Sequence, residues 1–323
     1  MTPDFRILAD GADATATIRD RLISLEATDE DGLQSDRLEL ELDDRDGRIE
    51  WPEIEAELEL SLGYRETGLA TIGRYAVDGV SGAGPAQTMT ITAKAVDMKA
   101  SARAPRTRAW EDVSLGDIVR SIAAEAGLEA VVGESVADLR WGYLAQTAES
   151  NLHFLTRLAA PLDITAKPAG GALVVQRRGE GRTAAGDRIE PVAIARERLA
   201  RWRWSLGTRE KYACVEAEWG DIGAGATRKV VLGEGEPKRR LRHVYPTEAE
   251  ARRAARGELD LAGRSALELS GDVAGFEPGL FAGGTVRVSG LRPEPDGDWQ
   301  VAAVAHRLGA GLATSFDARR AEA

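Results

Sequence analysis

Hydrophobic and acidic residues alternate in short runs through the first hundred positions, which is the pattern of strands with one buried face. Leu38, Leu40 and Leu42 alternate with acidic residues, and a second alternating run spans residues 54–62. Further strands are predicted over residues 18–27, 75–80 and 89–95, with turns at residues 29–32, 44–47 and 82–85. Five or more short strands with one apolar face predict a small barrel or sandwich for residues 1–100.

The periodicity becomes helical after residue 110. Apolar residues recur at helical spacing from Leu115 to Ala126. Ser114 and Asp117 form a predicted N-cap with an acidic N3 residue, and Gly127 is the expected left-handed stop. This segment therefore predicts one amphipathic helix.

A second helix is predicted over residues 146–159, after an extended piece at residues 139–144. Its first turn would contain Glu149, whose carboxylate suits the positive end of the helix dipole. A hairpin around Gly170 and Gly171 is predicted to follow, with strands at residues 164–168 and 172–177. The two helices and the hairpin predict a small α/β domain.

That domain has compositional boundaries. A basic connector that contains proline covers residues 101–108, and a glycine-rich loop covers residues 179–187. We therefore assign residues 1–100 to a first β-barrel domain and residues 101–190 to an α/β middle domain. Residues 191–323 form a second barrel-like domain.

In the last domain, strand patterns resume from Ile194. Thr247 and Glu250 form a capping box that predicts a helix over residues 247–262. Because its residues are small and bury little area, we expect it on a surface or against a partner. Strands are predicted at residues 212–219, 227–232, 267–269, 285–290 and 298–306. The predicted fold class is α+β, mostly β, with two barrel-like domains joined by a small α/β domain.

Two local patterns admit functional interpretations. Trp202 and Trp204 alternate with Arg201 and Arg203, so they could stack on single-stranded bases, although buried tryptophans in a barrel wall explain the same pattern. The glycine-rich turn at residues 220–225 lacks the Gly-Lys-Ser/Thr ending of a phosphate-binding loop, which excludes that interpretation.

Composition describes an ordinary globular protein. The chain has 323 residues, of which 43% are hydrophobic and 29% charged. No run reaches the roughly 18 apolar residues of a membrane span, and the first 20 residues do not resemble a signal peptide. Cys214 is the only cysteine, which excludes an intrachain disulfide. These features predict synthesis in a cytoplasm.

The net charge of −11 is concentrated at one end of the chain. Residues 1–100 contain 10 Lys and Arg against 22 Asp and Glu, whereas the remainder is nearly neutral. An acidic first domain argues against static nucleic-acid binding, because phosphate contacts need basic residues. The charge either keeps the protein soluble or forms a surface past which DNA slides without sticking.

Candidate catalytic residues all have simpler structural explanations. Glu149 and Asp163 lack the context of a paired-carboxylate hydrolase, and none of the common nucleophile or metalloprotease motifs is present. We interpret Cys214 as a small buried residue and His306 as a local hydrogen-bonding residue. His153 is expected at a surface or interface, and His243 is too distant in sequence to join them. No catalytic, cofactor-binding or metal site is therefore predicted.

The helical segments also carry a family resemblance. "W-x-D-x-S-L-G-D-I-V-x-x-I-A-x-x-x-G-L" from residue 110 and "Q-x-x-E-S-N-x-x-F-L-x-R-L-A" from residue 146 resemble the late control protein D family of phages. "S-D-R-L-E-L-E-L-D-D-R-D-G" from residue 35 resembles the first barrel of that family. "D-G-D-W-Q-V-A-A-V-A-H-R-L" from residue 296 resembles its second barrel. The resemblance covers nearly the whole chain in the right order.

The resemblance implies a central hub of a contractile-tail baseplate, related to the N-terminal hub part of type VI secretion spike proteins. Such a hub would be a homotrimer in the virion tail. It would join the tail tube, or a tube-initiator protein, to the cell-puncturing spike, with the tape measure protein as a further partner. Genome DNA would pass through without specific binding, and no membrane insertion is expected. The alternatives are a baseplate-associated peptidoglycan hydrolase and a carbohydrate-binding β module.

Overall fold

The computed structural model describes residues 1–31, 36–95, 104–162, 164–169, 172–177, 190–206, 212–221, 223–264 and 267–320. The first β unit comprises one short helix and seven strands. These are β1 (Pro3–Ala9), β2 (Ala12–Asp13), α1 (Thr15–Arg19), β3 (Leu22–Glu30), β4 (Arg37–Asp43), β5 (Glu57–Tyr64), β6 (Gly68–Ala83) and β7 (Thr88–Ala95). Apolar side chains from β1 and from β3 through β7 meet in one core. The sheet of this unit therefore curves around its own core.

The middle unit follows with helices and strands in alternation. Its elements are β8 (Arg106–Ser114), α2 (Leu115–Ala126), β9 (Glu129–Val132), α3 (Glu134–Ala137), β10 (Arg140–Glu149), α4 (Asn151–Ala159), β11 (Ile164–Ala169) and β12 (Ala172–Arg177). β8 pairs with β10, and β12 pairs with β11 and β9. The apolar faces of α2 and α4 share one core with these strands.

The last part of the chain contains a second β unit and a small sheet unit. The second β unit comprises β13 (Val192–Ala195), β14 (Leu199–Leu206), β18 (Leu267–Val273), β19 (Thr285–Ser289), β20 (Gly297–Leu308) and β21 (Leu312–Arg320). The small sheet unit comprises β15 (Cys214–Asp221), β16 (Ala226–Gly233), β17 (Lys238–Tyr245) and α5 (Glu248–Arg264).

The two β units repeat one strand order. The neighbours run β3-β4-β7-β6-β5-β1 in the first unit and β14-β18-β21-β20-β19-β13 in the second. A difference lies at the end of the series, where β13 is parallel to β19 but β1 is antiparallel to β5. The chain thus contains the same topology twice, and the small sheet unit is inserted between two neighbouring strands of the second copy.

The repeat extends to irregularities within the strands. The register shifts between Leu22 and Ser24 in β3, and between Leu199 and Arg201 in β14. It also shifts between Val77 and Gly79 in β6, and between Val301 and Ala303 in β20. Because a bulge fixes the register of a ladder, these shared positions align the two units residue by residue.

The two units share one 13-stranded sheet. β20 of the second unit pairs antiparallel with β3 of the first, and this pairing is the seam of the sheet. Arg307 on β20 donates a hydrogen bond to Glu26 on β3 at 2.9 Å across this seam. The two ends of the chain are therefore held together by backbone pairing.

Several local predictions are confirmed. The capping box of Ser114 and Asp117 begins α2, and Gly127 ends it with a φ of 72°. The predicted hairpin is β11 and β12. Thr247 and Glu250 cap α5 through their side chains, with the backbone N–H of Glu250 donating to the Thr247 hydroxyl at 3.3 Å.

Other local predictions are wrong. The first strand is β1, and Ile18 belongs to a short helix. Residues 106–108 lie in β8 rather than in a connector. Residues 146–149 continue β10 instead of beginning a helix, because their backbone pairs with β8 until Ser150 caps α4. Strand β17, with five basic residues among eight, has little alternation to predict it.

The small residues of α5 form a buried face. Ala251 and Ala255 pack on the small sheet, and both are fully buried. A Cβ atom at Gly257 would lie 2.2 Å from the carbonyl oxygen of Pro161 in the middle unit. The expectation of a helix that buries little area is therefore wrong, because small side chains let backbones approach closely.

Some predictions lie outside the described residues. They concern Gly32 in the first turn, residues 101–103 of the connector, Asp163, Gly170 with Gly171, and the loop at residues 179–187.

Candidate assembly interface

Glu149, considered as a catalytic acid, is the last residue of β10. Its carboxylate accepts two hydrogen bonds from Arg157 on α4, one of them 3.2 Å from Nε. The carboxylate is therefore held in a structural contact between β10 and α4, with 11% of its side chain exposed. The second carboxylate considered with it, Asp163, lies outside the described residues.

The histidines and the cysteine do not come together. His306 is buried on β20 with Nδ1 at 2.9 Å from the Thr314 hydroxyl, and burial lowers its pKa to about 4. His153 and His243 are exposed on α4 and β17, whereas Cys214 is buried. In the described part of the chain, no group of three or more His, Cys, Asp or Glu residues is arranged to hold a metal ion.

A buried polar network holds the middle unit together. Gln146 and Asn151 are both fully buried. The side-chain oxygen of Asn151 accepts hydrogen bonds from Arg108 at 2.8 Å and from Gln146 at 3.0 Å. Its amide donates to Glu125 at 2.7 Å. Burial would raise the pKa of Glu125, but the hydrogen bonds from Arg108 and Asn151 outweigh it and lower that pKa.

The network joins β8, α2, β10 and α4, and it explains the motif "Q-x-x-E-S-N" as a packing device. The Arg108 guanidinium also lies over the ring of Trp110, 4.2 Å from its centroid, and Trp110 stacks on Phe154. Sequence reasoning missed the network. Its signal was Asn151, a polar residue on the apolar face of a helix, three positions before Phe154.

A second polar cluster joins all three main units. Lys167 on β11 forms ion pairs with Asp29 on β3 and with Asp36, the latter at 3.1 Å. A carboxylate oxygen of Asp29 accepts the backbone N–H of Ala282 from the second β unit at 2.8 Å. We call Asp29, Asp36 and Lys167 the junction cluster.

The junction cluster places two carboxylates beside one ammonium, with all three side chains mostly but not fully buried. Burial, and then the charge of Asp29, raise the pKa of Asp36 to about 7. Burial alone would lower the pKa of Lys167, but the charges of Asp29 and Asp36 raise it. The middle unit is thus attached to the rest of the chain by a charged contact. The net charge of that contact depends on whether Asp36 carries its proton.

The small sheet unit carries α5 on one face. On its other face, Glu216 lies among Lys229 at 2.7 Å, Lys238 at 3.0 Å and Arg240 at 3.6 Å. Hydrogen bonds from Lys229 and Lys238 lower the pKa of Glu216 to about 2. These cations balance the negative charge of the Glu216 carboxylate on this face of the sheet.

Two strands of the large sheet have one side that no other described strand pairs with. Among the described residues, β14 pairs only with β18, and the second half of β6 pairs only with β7 beyond Val77. Leu206, at the end of β14, is 52% exposed. Unpaired strand edges are ready to add a further strand, so these two are the candidate assembly interface.

Trp202 and Trp204 are half-buried beside this edge and pack against the second core. Trp202 lies near Arg196 and Trp204 near Arg292. Both residues therefore form part of the wall of the unit, as the structural interpretation of the Trp/Arg pattern expects.

The fold matches that of known phage tail proteins. The 43 kDa tail protein of prophage MuSo2 from Shewanella oneidensis matches with a TM-score of 0.74 at 15% identity, covering 99% of this chain and 98% of the other. The E. coli c3393 protein, a component of the type VI secretion system, matches with a TM-score of 0.55 at 13% identity. That match covers 99% of this chain and 77% of the other.

The sequence comparison gives the family. The profile of the phage tail baseplate hub (GPD) family matches residues 58–312, and the chain belongs to that family. The "Probable baseplate hub protein" of Escherichia phage P2 is 29% identical over 98% of this chain and 93% of its own length. The resemblance noted in the sequence is confirmed, and the protein is a structural baseplate hub protein. Among the described residues, no helix is long and apolar enough to cross a membrane.

Proposed function

We propose that three copies of this hub protein form a ring that connects the tail tube to the cell-puncturing spike. The observation that carries the proposal is the repeated topology of the two β units. Three chains would present six units of one kind to a six-fold tube, while the ring itself stays three-fold for a trimeric spike. Closed rings of this type are the usual way to cover exposed edges.

In this proposal each β unit is a barrel-like domain. The first domain covers residues 1–100, the α/β domain residues 101–190, and the second barrel-like domain residues 191–323. Each β unit has its own apolar core, which supports this division. The seam between β20 and β3 would then fix the angle between the two barrels.

The spike and tube partners are inferred from relatives. The c3393 protein is described as similar to the phage T4 tail proteins gp27 and gp5, and other similar structures are complexes of a Francisella VgrG protein with PdpA. By analogy, this hub would bind a spike on one side and the tube or its initiator on the other. The tape measure protein would be a further partner.

We further propose that the hub has no catalytic activity of its own. Glu149, the carboxylate considered as a catalytic acid, forms an ion pair with Arg157. Purified chain should leave peptidoglycan intact in a zymogram. Clearing that disappears in a Glu149→Gln variant would favour the hydrolase alternative, and binding on a glycan array would favour the carbohydrate module.

Copy number tests the trimer directly. Tails assembled with this chain should contain three copies, with three-fold symmetry at the hub in cryo-electron microscopy. Native mass of the chain co-expressed with its spike should show a three-to-three complex. Six copies per tail, or one-to-one heterodimers with the spike, would contradict the proposal.

A further inference from the structure

Strand β11 has two faces that serve different parts of the molecule. Ile164 and Ala166 point into the core of the middle unit, where both are buried. Thr165 and Lys167 alternate with them and therefore lie on the other face, which is turned towards the first β unit. One short strand thus takes part both in the packing of the middle unit and in a contact with the rest of the chain.

At this contact, Thr165 and Lys167 meet three carboxylates of the first β unit. The Thr165 hydroxyl donates a hydrogen bond to Asp31 at 2.6 Å. The Lys167 ammonium forms an ion pair with Asp29 and lies 3.1 Å from a carboxylate oxygen of Asp36. Because Asp29 and Asp31 are also two residues apart, each of them meets one member of the pair on β11.

Two of the carboxylate residues are fixed independently of the middle unit. The carboxylate of Asp29 accepts the backbone N–H of Ala282 at 2.8 Å. The backbone N–H of Asp31 donates to the carbonyl oxygen of Ala302, also at 2.8 Å. Both of these partners belong to the second β unit. The acidic side of the contact would therefore keep its place if β11 moved away.

The charges at the contact do not balance. One ammonium, that of Lys167, faces the carboxylates of Asp29 and Asp36. His306 on β20 feels the charge of Asp29, but burial lowers its pKa to about 4, so it is neutral near pH 7. Charged residues on β4 and β7 and in the loop after β18 have partners of their own, namely Arg37 with Glu39, Lys94 with Asp78, and Glu277 with Arg198.

We propose that the junction cluster is a proton-sensitive latch that holds the middle unit against the two β units. With a proton on Asp36, Lys167 faces one ionised member of the cluster, Asp29, and the cluster is neutral. When the proton leaves, a second negative charge is held mostly out of water for as long as β11 stays in place. Movement of β11 lets water reach that charge, so deprotonation favours release. The latch belongs to the single chain and goes beyond the proposed ring.

The pKa of Asp36 gives the direction of the pH dependence. In the closed arrangement, burial and then the charge of Asp29 raise this pKa from 3.8 to about 7, although Lys167 opposes the change. Release exposes the carboxyl group to water, which moves its pKa back towards the ordinary value. Between these two values the closed arrangement binds more protons, so release becomes more favourable as the pH rises. The effect levels off above about pH 7.

The released body would comprise the middle unit and the small sheet unit. Gly257 of α5 lies so close to Pro161 that a Cβ atom at this glycine would be 2.2 Å from the Pro161 carbonyl oxygen. Arg253 of α5 also donates a hydrogen bond to the backbone carbonyl of Arg140 at 2.9 Å. Neither contact includes a member of the junction cluster. The two units would therefore stay together and move as one body relative to the β units.

Distance measurements by pulsed electron paramagnetic resonance test the latch. Nitroxide labels on the full-length chain would be attached at His153→Cys in the middle unit and Thr71→Cys in the first β unit. Both positions are exposed, whereas the native Cys214 is buried. This chain should give one main distance at about pH 5 and a second one at about pH 8, on either side of the Asp36 pKa. From the two pKa values, the ratio of released to closed molecules should rise by at most about 100-fold over this range.

Three variants of the labelled chain locate the titrating group. Asp36→Asn should keep the closed distance at both pH values, because asparagine imitates the protonated carboxyl group. Asp78→Asn is the matched control and should respond to pH like the native cluster, since Lys94 holds the pKa of Asp78 below its ordinary value. Thr165→Val should raise the released fraction at both pH values, because it removes the bond to Asp31 without removing the titrating group.

Three results would overturn the latch. One is a single, unchanged distance at both pH values in the chain with the native cluster. Another is an Asp36→Asn variant that responds to pH as Asp78→Asn does. The third is a second distance that appears only together with loss of far-ultraviolet circular dichroism, since that would be unfolding of the whole chain. Trimer formation enters none of these measurements, so failure of the latch would leave the proposed ring standing.

Discussion

At the residue scale, Asn151 shows how a buried amide holds several elements at once. It connects Arg108, Gln146 and Glu125, which come from three other elements of the middle unit. Such a network is stabilising only when each member has its partners, because an unpaired polar group in a dry interior is costly. The family motif around Asn151 is therefore explained by packing.

Replacing Asn151 with Ala should loosen the middle unit. The change removes the acceptor of one Gln146 amide N–H and of part of the Arg108 guanidinium, at a cost of about 3 kcal/mol. Hydrogen exchange of backbone amides in residues 106–159 should become faster, while exchange in the first β unit should not change. His153→Ala, exposed on the same helix, is the control. Equal protection in the two variants would show that the network contributes little.

The junction cluster makes stability depend on pH through Asp36. In the unfolded chain this carboxyl group ionises near its ordinary pKa of 3.8, whereas in the folded chain it keeps its proton until a pH of about 7. Between these values the folded state binds more protons, so the free energy of unfolding falls as pH rises. Burial thus makes the ionised form of Asp36 unfavourable to folding.

An Asp36→Asn variant should remove this dependence. Its urea midpoint should change less than the wild-type midpoint between about pH 4.5 and about pH 7.5, since asparagine imitates the protonated carboxyl group. Asp78→Asn is the control, because Lys94 and Thr92 hold the pKa of Asp78 below its ordinary value. A wild-type midpoint that rises with pH, in parallel with the variant, would contradict this assignment.

At the element scale, α5 illustrates how close packing outweighs helix propensity. Glycine inside a helix is disfavoured by roughly 1 kcal/mol relative to alanine. Gly257 is nevertheless placed where α5 touches Pro161 and Leu162, which leaves no room for a Cβ atom. The helix therefore serves as the link between the small sheet unit and the middle unit.

Gly257→Ala should destabilise the protein in spite of its better helix propensity. A Cβ at 2.2 Å from a backbone carbonyl oxygen forces the helix away from the middle unit, and such overpacking costs about 1–3 kcal/mol. The melting temperature should fall by a few degrees. Arg256→Ala, an exposed neighbour, should melt like the wild type. A higher melting temperature for Gly257→Ala would mean that propensity decides.

At the scale of the whole molecule, charge is distributed differently on the two β units. Glu26, Glu39 and Glu41 point outward on β3 and β4 of the first unit. At the equivalent positions the second unit has Arg203, Ser270 and Asp272. Glu57 and Glu59 lie on β5, which is three strands away from β4 around the curved sheet. The acidic side chains of the first unit therefore do not form one surface.

If the outward face of β3 and β4 lines a DNA path, its acidic residues should assist passage. In a DNA-carrying particle, Glu39→Lys with Glu41→Lys should slow DNA release, because new cations hold phosphates. Glu57→Lys with Glu59→Lys is the control on the other side of the unit. Particles of both variants should assemble normally. Equal release rates would leave solubility as the role of the acidic residues.

The sequence by itself determined the local elements. Alternation placed β4 and most of β5, the capping box of Ser114 began α2, and the hairpin of β11 and β12 followed from its glycines. These signals are local, since neighbouring residues determine the backbone conformation and the face of the strand or helix on which each side chain lies. Gln146 shows where local signals fail. The periodicity predicted a helix there, but pairing with β8 extends strand β10 through this residue.

Only the tertiary structure decided which strands meet. β3 and β20 pair across nearly the whole chain, and no local pattern specifies a partner so far away. The repeat of the two units was equally hidden, because equivalent positions hold residues as different as Ala27 and Trp204. The same is true of the junction cluster, whose members come from distant segments. Alternation reports that a side chain is buried, whereas its neighbours depend on how the whole chain closes around the core.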